Sequence, residues 1–474
     1  MDVIKTDLCI IGAGSGGLAL AAGAAQMGAR VVLVECGQMG GDCLNTACVP
    51  SKALLAAAKA AEAARQAGRF GVRTGPVSVD FAAAKDHVLS AIAAIAPHDS
   101  QERFEGLGVT VIRAFARFTG PAEVEAGGQR IRARRFVIAT GSRAAIPPVP
   151  GIEQVQHFTN ETIFALREAP SHLIILGGGP IGLEMAQAHR RLGCEVTVIE
   201  AFKALGRDDP EAAAVVIAAL RAEGVRVMEG QPVVRLRKKP GTGQIEAVLG
   251  DGDVITGSHL LVAAGRVPAL DRLDLDKAGV AYGPRGVSVG ANLRSVSNRR
   301  VYAVGDVAGG AQFTHVAGAH AGVAIRQILL GLPAKAAAVV PWVSYTDPEL
   351  AQAGLTEADA REVYGARLRI LRAELGGNDR AVAEGKTLGF VKVMAVSGRP
   401  VGATVVGAQA GEMIAFWALA IAQRTRLSTI AGVILPYPTL SESAKRAAGA
   451  YFSDQLFANP RLKAFVRLVQ RFVP

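Results

Sequence analysis

Cys43 and Cys48 lie in the run Gly40-Gly41-Asp42-Cys43-Leu44-Asn45-Thr46-Ala47-Cys48-Val49-Pro50-Ser51-Lys52, with four residues between them. Two thiols at that separation can form a reversible disulfide and pass two electrons to an acceptor. If Cys48 opens a helix, Cys43 sits just ahead of it. A helix N-terminus then lowers a thiol pKa and favours exchange. The spacing alone serves equally well for two buried free thiols.

Two further patterns could supply such a pair with electrons. Leu8 to Ile11 reads as a buried strand, and Gly12, Gly14 and Gly17 follow it with GxGxxG spacing. The first glycine permits the tight turn and the second lets a pyrophosphate approach the backbone. The third lets helix and strand pack closely, with the helix N-terminus facing the phosphates. A second strand over Val31 to Val34 ends at Glu35, 18 residues beyond Gly17, where an acid can accept hydrogen bonds from a ribose diol. The pattern recurs: a strand over His172 to Leu176, then Gly177, Gly179 and Gly182, then a strand ending at Glu200, again 18 residues past the third glycine. A carboxylate at Glu200 repels a 2′-phosphate, so NADH is expected over NADPH, although Lys203 and Arg207 nearby can still receive a phosphate. Two such units imply two dinucleotides, and a flavin with a nicotinamide is the simplest pairing.

The 474 residues exceed one core and suggest two to four domains. Half are apolar and a fifth charged, as in globular proteins. Leu8 to Ala29 is uncharged and long enough to mimic a membrane span, but its six glycines fit strand, turn and small-residue helix better. Val307 to Ile325 is also uncharged, glycine-rich, and carries two histidines. The N-terminus lacks the basic region and cleavage site of a signal peptide, so a cytoplasmic protein is expected. The five cysteines (Cys9, Cys36, Cys43, Cys48 and Cys194) are too sparse and odd for a secreted disulfide framework. The net charge of +11 can favour anionic partners, yet no zinc-finger spacing or RNA-binding aromatic motif points to nucleic acid. No metal site is expected.

The cysteine segment resembles the redox-active signature of the pyridine nucleotide-disulfide oxidoreductases, and the resemblance extends over essentially the whole chain. It implies FAD and NADH, with NADPH as the alternative donor, a homodimer, and roles for named residues. Cys43 would exchange with substrate, and Cys48 would contact the flavin as a charge-transfer thiolate. Lys52 would lie near flavin N5, paired with Glu184. The family's Ala-Thr-Gly strand end appears at Ala139, Thr140 and Gly141. Its Gly-Arg-x-Pro segment appears at Gly265 and Arg266, and its Gly-Asp flavin motif at Gly305 and Asp306. Ala47 replaces the usual glycine, and as a good helix former it should do little harm.

One difference touches the chemistry. Disulfide-reducing members carry His-Pro-Thr and a downstream glutamate near the C-terminus, and that histidine serves the partner subunit's exchanging thiol. Here the run is Pro436-Tyr437-Pro438-Thr439, followed by Glu442. A phenol of pKa about 10 is a poor base near neutrality. Oxidation of dihydrolipoamide should therefore be poor, and Glu442 is left as a structural residue. Tyr437, Pro97-His98-Asp99-Ser100, Phe313-Thr314-His315 and Tyr345-Thr346-Asp347-Pro348 resemble the mercuric reductase branch. That branch hands metal over through a C-terminal cysteine pair, and no cysteine follows Cys194 here. His315 is expected beside the flavin or in the core.

The resemblance implies an α/β protein with two doubly wound dinucleotide-binding domains and a C-terminal α+β interface domain. The flavin part takes 1–150 and 271–337, the nicotinamide part 151–270, and the interface part 338–474. The expected activity carries electrons from NADH through FAD and the cysteine pair to a disulfide, soft-metal or redox-protein acceptor. The alternatives are a dihydrolipoamide dehydrogenase, a mercuric reductase-like metal reductase, a flavin oxidase or quinone reductase that does not need the cysteines, and a redox-sensing flavoprotein. At the end of the chain, Leu462, Phe465, Val466, Val469, Phe472 and Val473 recur at helical spacing among Arg461, Lys463, Arg467 and Arg471. Such a helix (residues 461–474) packs on its own dimer or a partner, or lies on an anionic membrane.

Overall fold

The computed structural model describes residues 3–473, which group into two compact units: 3–201 with 228–337, and 202–227 with 338–473. In the first unit Val3–Ile11 forms the centre of a seven-stranded sheet, flanked in parallel by Val31–Glu35 and Gln129–Ile138. Its residues Leu8 to Ile10 are fully buried, as a near-continuous apolar run must be when both faces of a sheet are covered. Thr110–Arg113 and Val301–Ala303 extend the parallel part, and an antiparallel pair, Ala116–Gly120 with Glu123–Ala126, closes one edge. The helix Ser15–Gln26 buries Leu18, Leu20, Ala21 and Ala24, and it packs on the helix Thr314–Ile328. The uncharged run from Leu8 is thus strand, turn and helix. Among the described residues no helix is long and apolar enough to cross a membrane.

A second parallel sheet in the same unit runs His259–Val262, His172–Leu176, Glu195–Glu200, with Ile175 opposite Val198 and Leu261. Val233–Lys238, Ile245–Leu249 and Val254–Gly257 form a separate antiparallel sheet.

The second unit is a five-stranded antiparallel sheet in the order Trp342–Ser344, Glu349–Gly354, Arg399–Gly407, Phe390–Val396, Leu368–Glu374. Helices Ala410–Ala422 and Glu442–Phe457 pack on it around fully buried Trp417. Residues 202–227, which the sequence reading places in the nicotinamide part, group here. Their helix, Pro210–Ala222, buries Ala212, Val216, Ile217 and Leu220 and contacts the strands Glu349–Gly354 and Arg399–Gly407. Asp209, which caps it, is ion-paired at 2.9 Å with buried Lys392.

Candidate active site

The two glycine loops have the same internal geometry. Gly12 has φ +110°, and a Cβ there would lie 2.4 Å from the carbonyl oxygen of Ala139; a Cβ on Gly17 would lie 1.9 Å from that of Gly12. Gly177 has φ +111°, with 2.4 Å to Ala263 O, and Gly182 has 2.0 Å to Gly177 O. The middle glycines face open space, with nothing nearer than 3.9 Å at Gly14 and nothing within 4 Å at Gly179. Each loop is therefore closed where strand meets helix and open where a pyrophosphate would approach. The acids at the strand ends are fixed alike. Glu35 Oε2 accepts from the Ala13 amide at 2.6 Å, and Glu200 Oε2 from the Gly178 amide at 2.7 Å. These residues fit two dinucleotides.

Around the first loop the other motif residues converge. Ala139 is hydrogen-bonded to Ile11 O at the end of the central strands, and Thr140 Oγ1 donates to Ala269 O at 2.7 Å. Gly141 and Gly265 have φ of +68° and +128°, and the short strands after them, Ser142–Ala144 and Arg266–Pro268, pair with each other. Ser142 donates to Asp306 Oδ2, and Arg266 bonds Ser142 and Asp42. Asp306 follows Gly305, whose amide donates to His320 Nδ1 at 3.2 Å. Burial lowers the pKa of His320, so it stays a neutral acceptor. The histidine of this segment that enters the core is therefore His320. His315 is exposed on the first turn of its helix and stacks on Phe313. Five residues, about 1.4 turns, put the two on different faces of the helix, and the sequence does not say which faces inward.

Cys43 lies in a short helix, Gly41–Asn45, and Cys48 is the first residue of the helix Cys48–Gln66. Ala47 is the cap between them at φ −135°, ψ −92°. It is not helical, so helix propensity does not account for alanine at this position. Both cysteines are half-buried thiols here. The Cys43 thiol is pushed down to about 6, chiefly by the S–H of Cys48 donating to it; burial opposes this, and the hydroxyls of Thr314 and Ser15 assist. The Cys48 thiol is pushed up by the same bond and by burial. The pair thus holds one proton and one negative charge near neutrality. Thr314 Oγ1 lies 3.2 Å from Cys48 Sγ. Thr314 stands in the Phe313-Thr314-His315 segment noted above, but 266 positions separate it from the cysteine, so the sequence does not pair the two.

Lys52 is four residues past Cys48 on the same helix face. Its Nζ meets Glu184 Oε2 at 2.8 Å, and the Glu184 side chain is only 5% exposed. Glu184 belongs to the helix Pro180–Arg191 that follows the second glycine loop. One ion pair thereby joins the cysteine helix to the helix of the second dinucleotide loop. The alkylation rate of the reduced protein by iodoacetamide should rise with pH through about 6 and then level off, because only the thiolate reacts. A rate rising only near about 8.5, the ordinary thiol value, would contradict this.

In the second unit Tyr437 is exposed, and its hydroxyl donates to Asp379 Oδ2 at 2.7 Å. That bond pushes the phenol above its ordinary pKa, which makes it a still poorer base. Glu442 begins the helix Glu442–Phe457 and turns its carboxylate back to the Thr439 amide, as a helix-start residue does.

A family model described as pyridine nucleotide-disulphide oxidoreductase matches residues 6–321, and that family's dimerisation domain matches residues 340–448. A mercuric reductase of Streptomyces lividans is 35% identical over 462 residues, covering 94% of this chain and 96% of that protein. A dihydrolipoyl dehydrogenase of Thermus scotoductus is 37% identical over 457 residues, covering 94% and 97%. Among solved structures, the Cu(II) complex of the HOCl-induced flavoprotein disulfide reductase RclA from Escherichia coli is 27% identical, with a TM-score of 0.83 over 92% of this chain and 98% of that one.

Proposed function

Because the chain belongs to the pyridine nucleotide-disulphide oxidoreductases, we propose that it works in the reductive direction, delivering electrons from NADH to an acceptor met at Cys43. It is an FAD-dependent, NAD(P)H-linked disulfide oxidoreductase with Rossmann-like FAD and NAD domains and a C-terminal dimerisation domain, which supports a homodimer. The Tyr437 hydroxyl, which donates to Asp379 and stands where a base for an incoming thiol would be needed, carries the directional reading.

Bound FAD relays two electrons between nicotinamide and sulfur. In this reading Gly12, Gly14 and Gly17 admit its pyrophosphate, Glu35 its ribose, and Asp306 its ribityl hydroxyls, with Arg266 holding Asp42 and Ser142 in place. Gly177, Gly179, Gly182 and Glu200 hold the nicotinamide dinucleotide, and the Glu200 carboxylate favours NADH. Lys52, fixed by Glu184, keeps a positive charge where electrons accumulate. Cys48 is the inner sulfur against Thr314, and Cys43 the outer one. With a disulfide acceptor, the Cys43 thiolate attacks one sulfur and expels the other as a thiolate, which takes up the proton that Cys48 gives up. Cys48 then attacks Cys43, releasing the second thiolate and closing the Cys43–Cys48 disulfide. Each turn moves two electrons and needs no base to deprotonate an incoming thiol.

Oxidising dihydrolipoamide does need that base. Tyr437, brought to the partner's exchanging sulfur by the family's dimer arrangement, is bound to a carboxylate and cannot serve. Tyr437→His should raise NAD-linked dihydrolipoamide oxidation by about 10²-fold, the lower end of general-base effects. Steady-state assays of both forms, with dihydrolipoamide and with a small aromatic disulfide under NADH, test the reading. Efficient dihydrolipoamide oxidation by the unaltered protein would overturn it.

A soft metal ion is the second acceptor class, because two thiolates are soft ligands and mercuric reductases stand among the relatives. Among the described residues no cluster of three or more His, Cys, Asp or Glu could hold a metal, so such an ion would meet the two sulfurs alone. The proposed setting is the cytoplasm. The proposed partners are a second copy, the acceptor, and an anionic membrane surface met through residues 461–474.

A further inference from the structure

We propose that the terminal helix Pro460–Phe472 docks the enzyme on a bilayer rich in anionic lipid. This deepens the partner reading above and is independent of which acceptor Cys43 meets. The helix starts by its own means: Asn459 accepts from the Arg461 and Leu462 amides at 3.0 and 3.2 Å, and Pro460 fills the first helical position. Its 13 residues span about 20 Å.

None of them is buried, and Phe465, Val466, Leu468 and Phe472 are 49–75% exposed. At 3.6 residues per turn, Phe472, Phe465, Val469, Leu462 and Val466 fall within an arc of about 120°. Lys463, Arg467 and Arg471 fall on the opposite side, and Arg461 lies in the first turn. No acidic residue occurs from Leu456 to the end of the chain.

Charge decides the occupant. The match to the family's dimerisation domain ends at residue 448, before this helix begins. A second copy would bring the same +11 charge against a helix with four cations and no acid. Phenylalanine and valine flanked by arginine and lysine instead match hydrocarbon beneath anionic headgroups.

The test uses the full-length, FAD-loaded protein in co-sedimentation with phosphatidylcholine vesicles, with and without phosphatidylglycerol. Full-length protein should bind the anionic vesicles only, and added salt should weaken binding. A chain ending at Asn459 should stay in solution with its NADH oxidation unchanged. Arg467→Gln and Arg471→Gln should each weaken binding about fivefold, and Phe465→Ser with Phe472→Ser should also release it. These substitutions keep the test decisive if truncation harms folding. Equal binding with and without the helix overturns the proposal, as does equal binding to neutral vesicles. So does absence of vesicle binding, whether or not truncation changes the oligomeric state.

Discussion

Cys43→Ser should leave the protein able to bind FAD and accept hydride from NADH, while acceptor reduction falls by about 10³-fold or more, the scale on which loss of a nucleophile is felt. A serine hydroxyl neither forms a disulfide nor ionises near neutrality, and Cys48 alone cannot close the cycle of two electrons. The thiol it replaces has a pKa of about 6, held down first by the Cys48 S–H and then by the hydroxyls of Thr314 and Ser15. The substitution therefore removes the sulfur that meets the acceptor, and with it one of the two atoms that share the pair's negative charge. Single-turnover reduction by NADH, followed by acceptor mixing, separates the two halves. Turnover that survives Cys43→Ser would point to direct flavin chemistry with oxygen or a quinone.

Lys52→Met should show the next largest effect, on rate and on stability together. The glutamate it would leave behind is 5% exposed at the side chain, whereas Lys52 itself is 39% exposed. A fully buried pair broken on one side costs about 3–5 kcal/mol, and the solvent reaching Lys52 reduces this to about 1–2 kcal/mol. Loss of a fixed positive charge beside developing negative charge should slow reduction by NADH about 10²-fold. Lys52→Arg should recover part of the rate, because a cation at this place matters more than its shape. Stopped-flow reduction and urea unfolding measure the two effects. A slowed rate that Lys52→Arg does not improve would assign Lys52 a packing role only.

The elements of the site were legible where one short stretch of sequence carries the physics. The glycine loops are such a case: Gly12 and Gly177 need positive φ, Gly17 and Gly182 have no room for a Cβ, and Glu35 and Glu200 each end a largely apolar buried strand. The cysteine pair was legible through its neighbours, and the Lys52–Glu184 contact through resemblance, since nothing local to Lys52 names a partner 132 residues away. Contacts made across the fold were not legible. Thr314 reaches Cys48, Ser142 reaches Asp306, and His320 rather than His315 turns inward, all through the packing of the helix Thr314–Ile328 and the strand Ser142–Ala144. The helix Pro210–Ala222 has an apolar face that fits any sheet, so its sequence could not disclose the five-stranded sheet it covers.

Anaerobic titration with NADH, read by absorbance and by thiol counting, tests the central claim most directly. The account predicts that the first equivalent opens the Cys43–Cys48 disulfide: two thiols become available to alkylation while a long-wavelength thiolate–flavin band appears, and Cys48→Ser abolishes that band. Bleaching of the flavin by the first equivalent with no gain of thiols would contradict it.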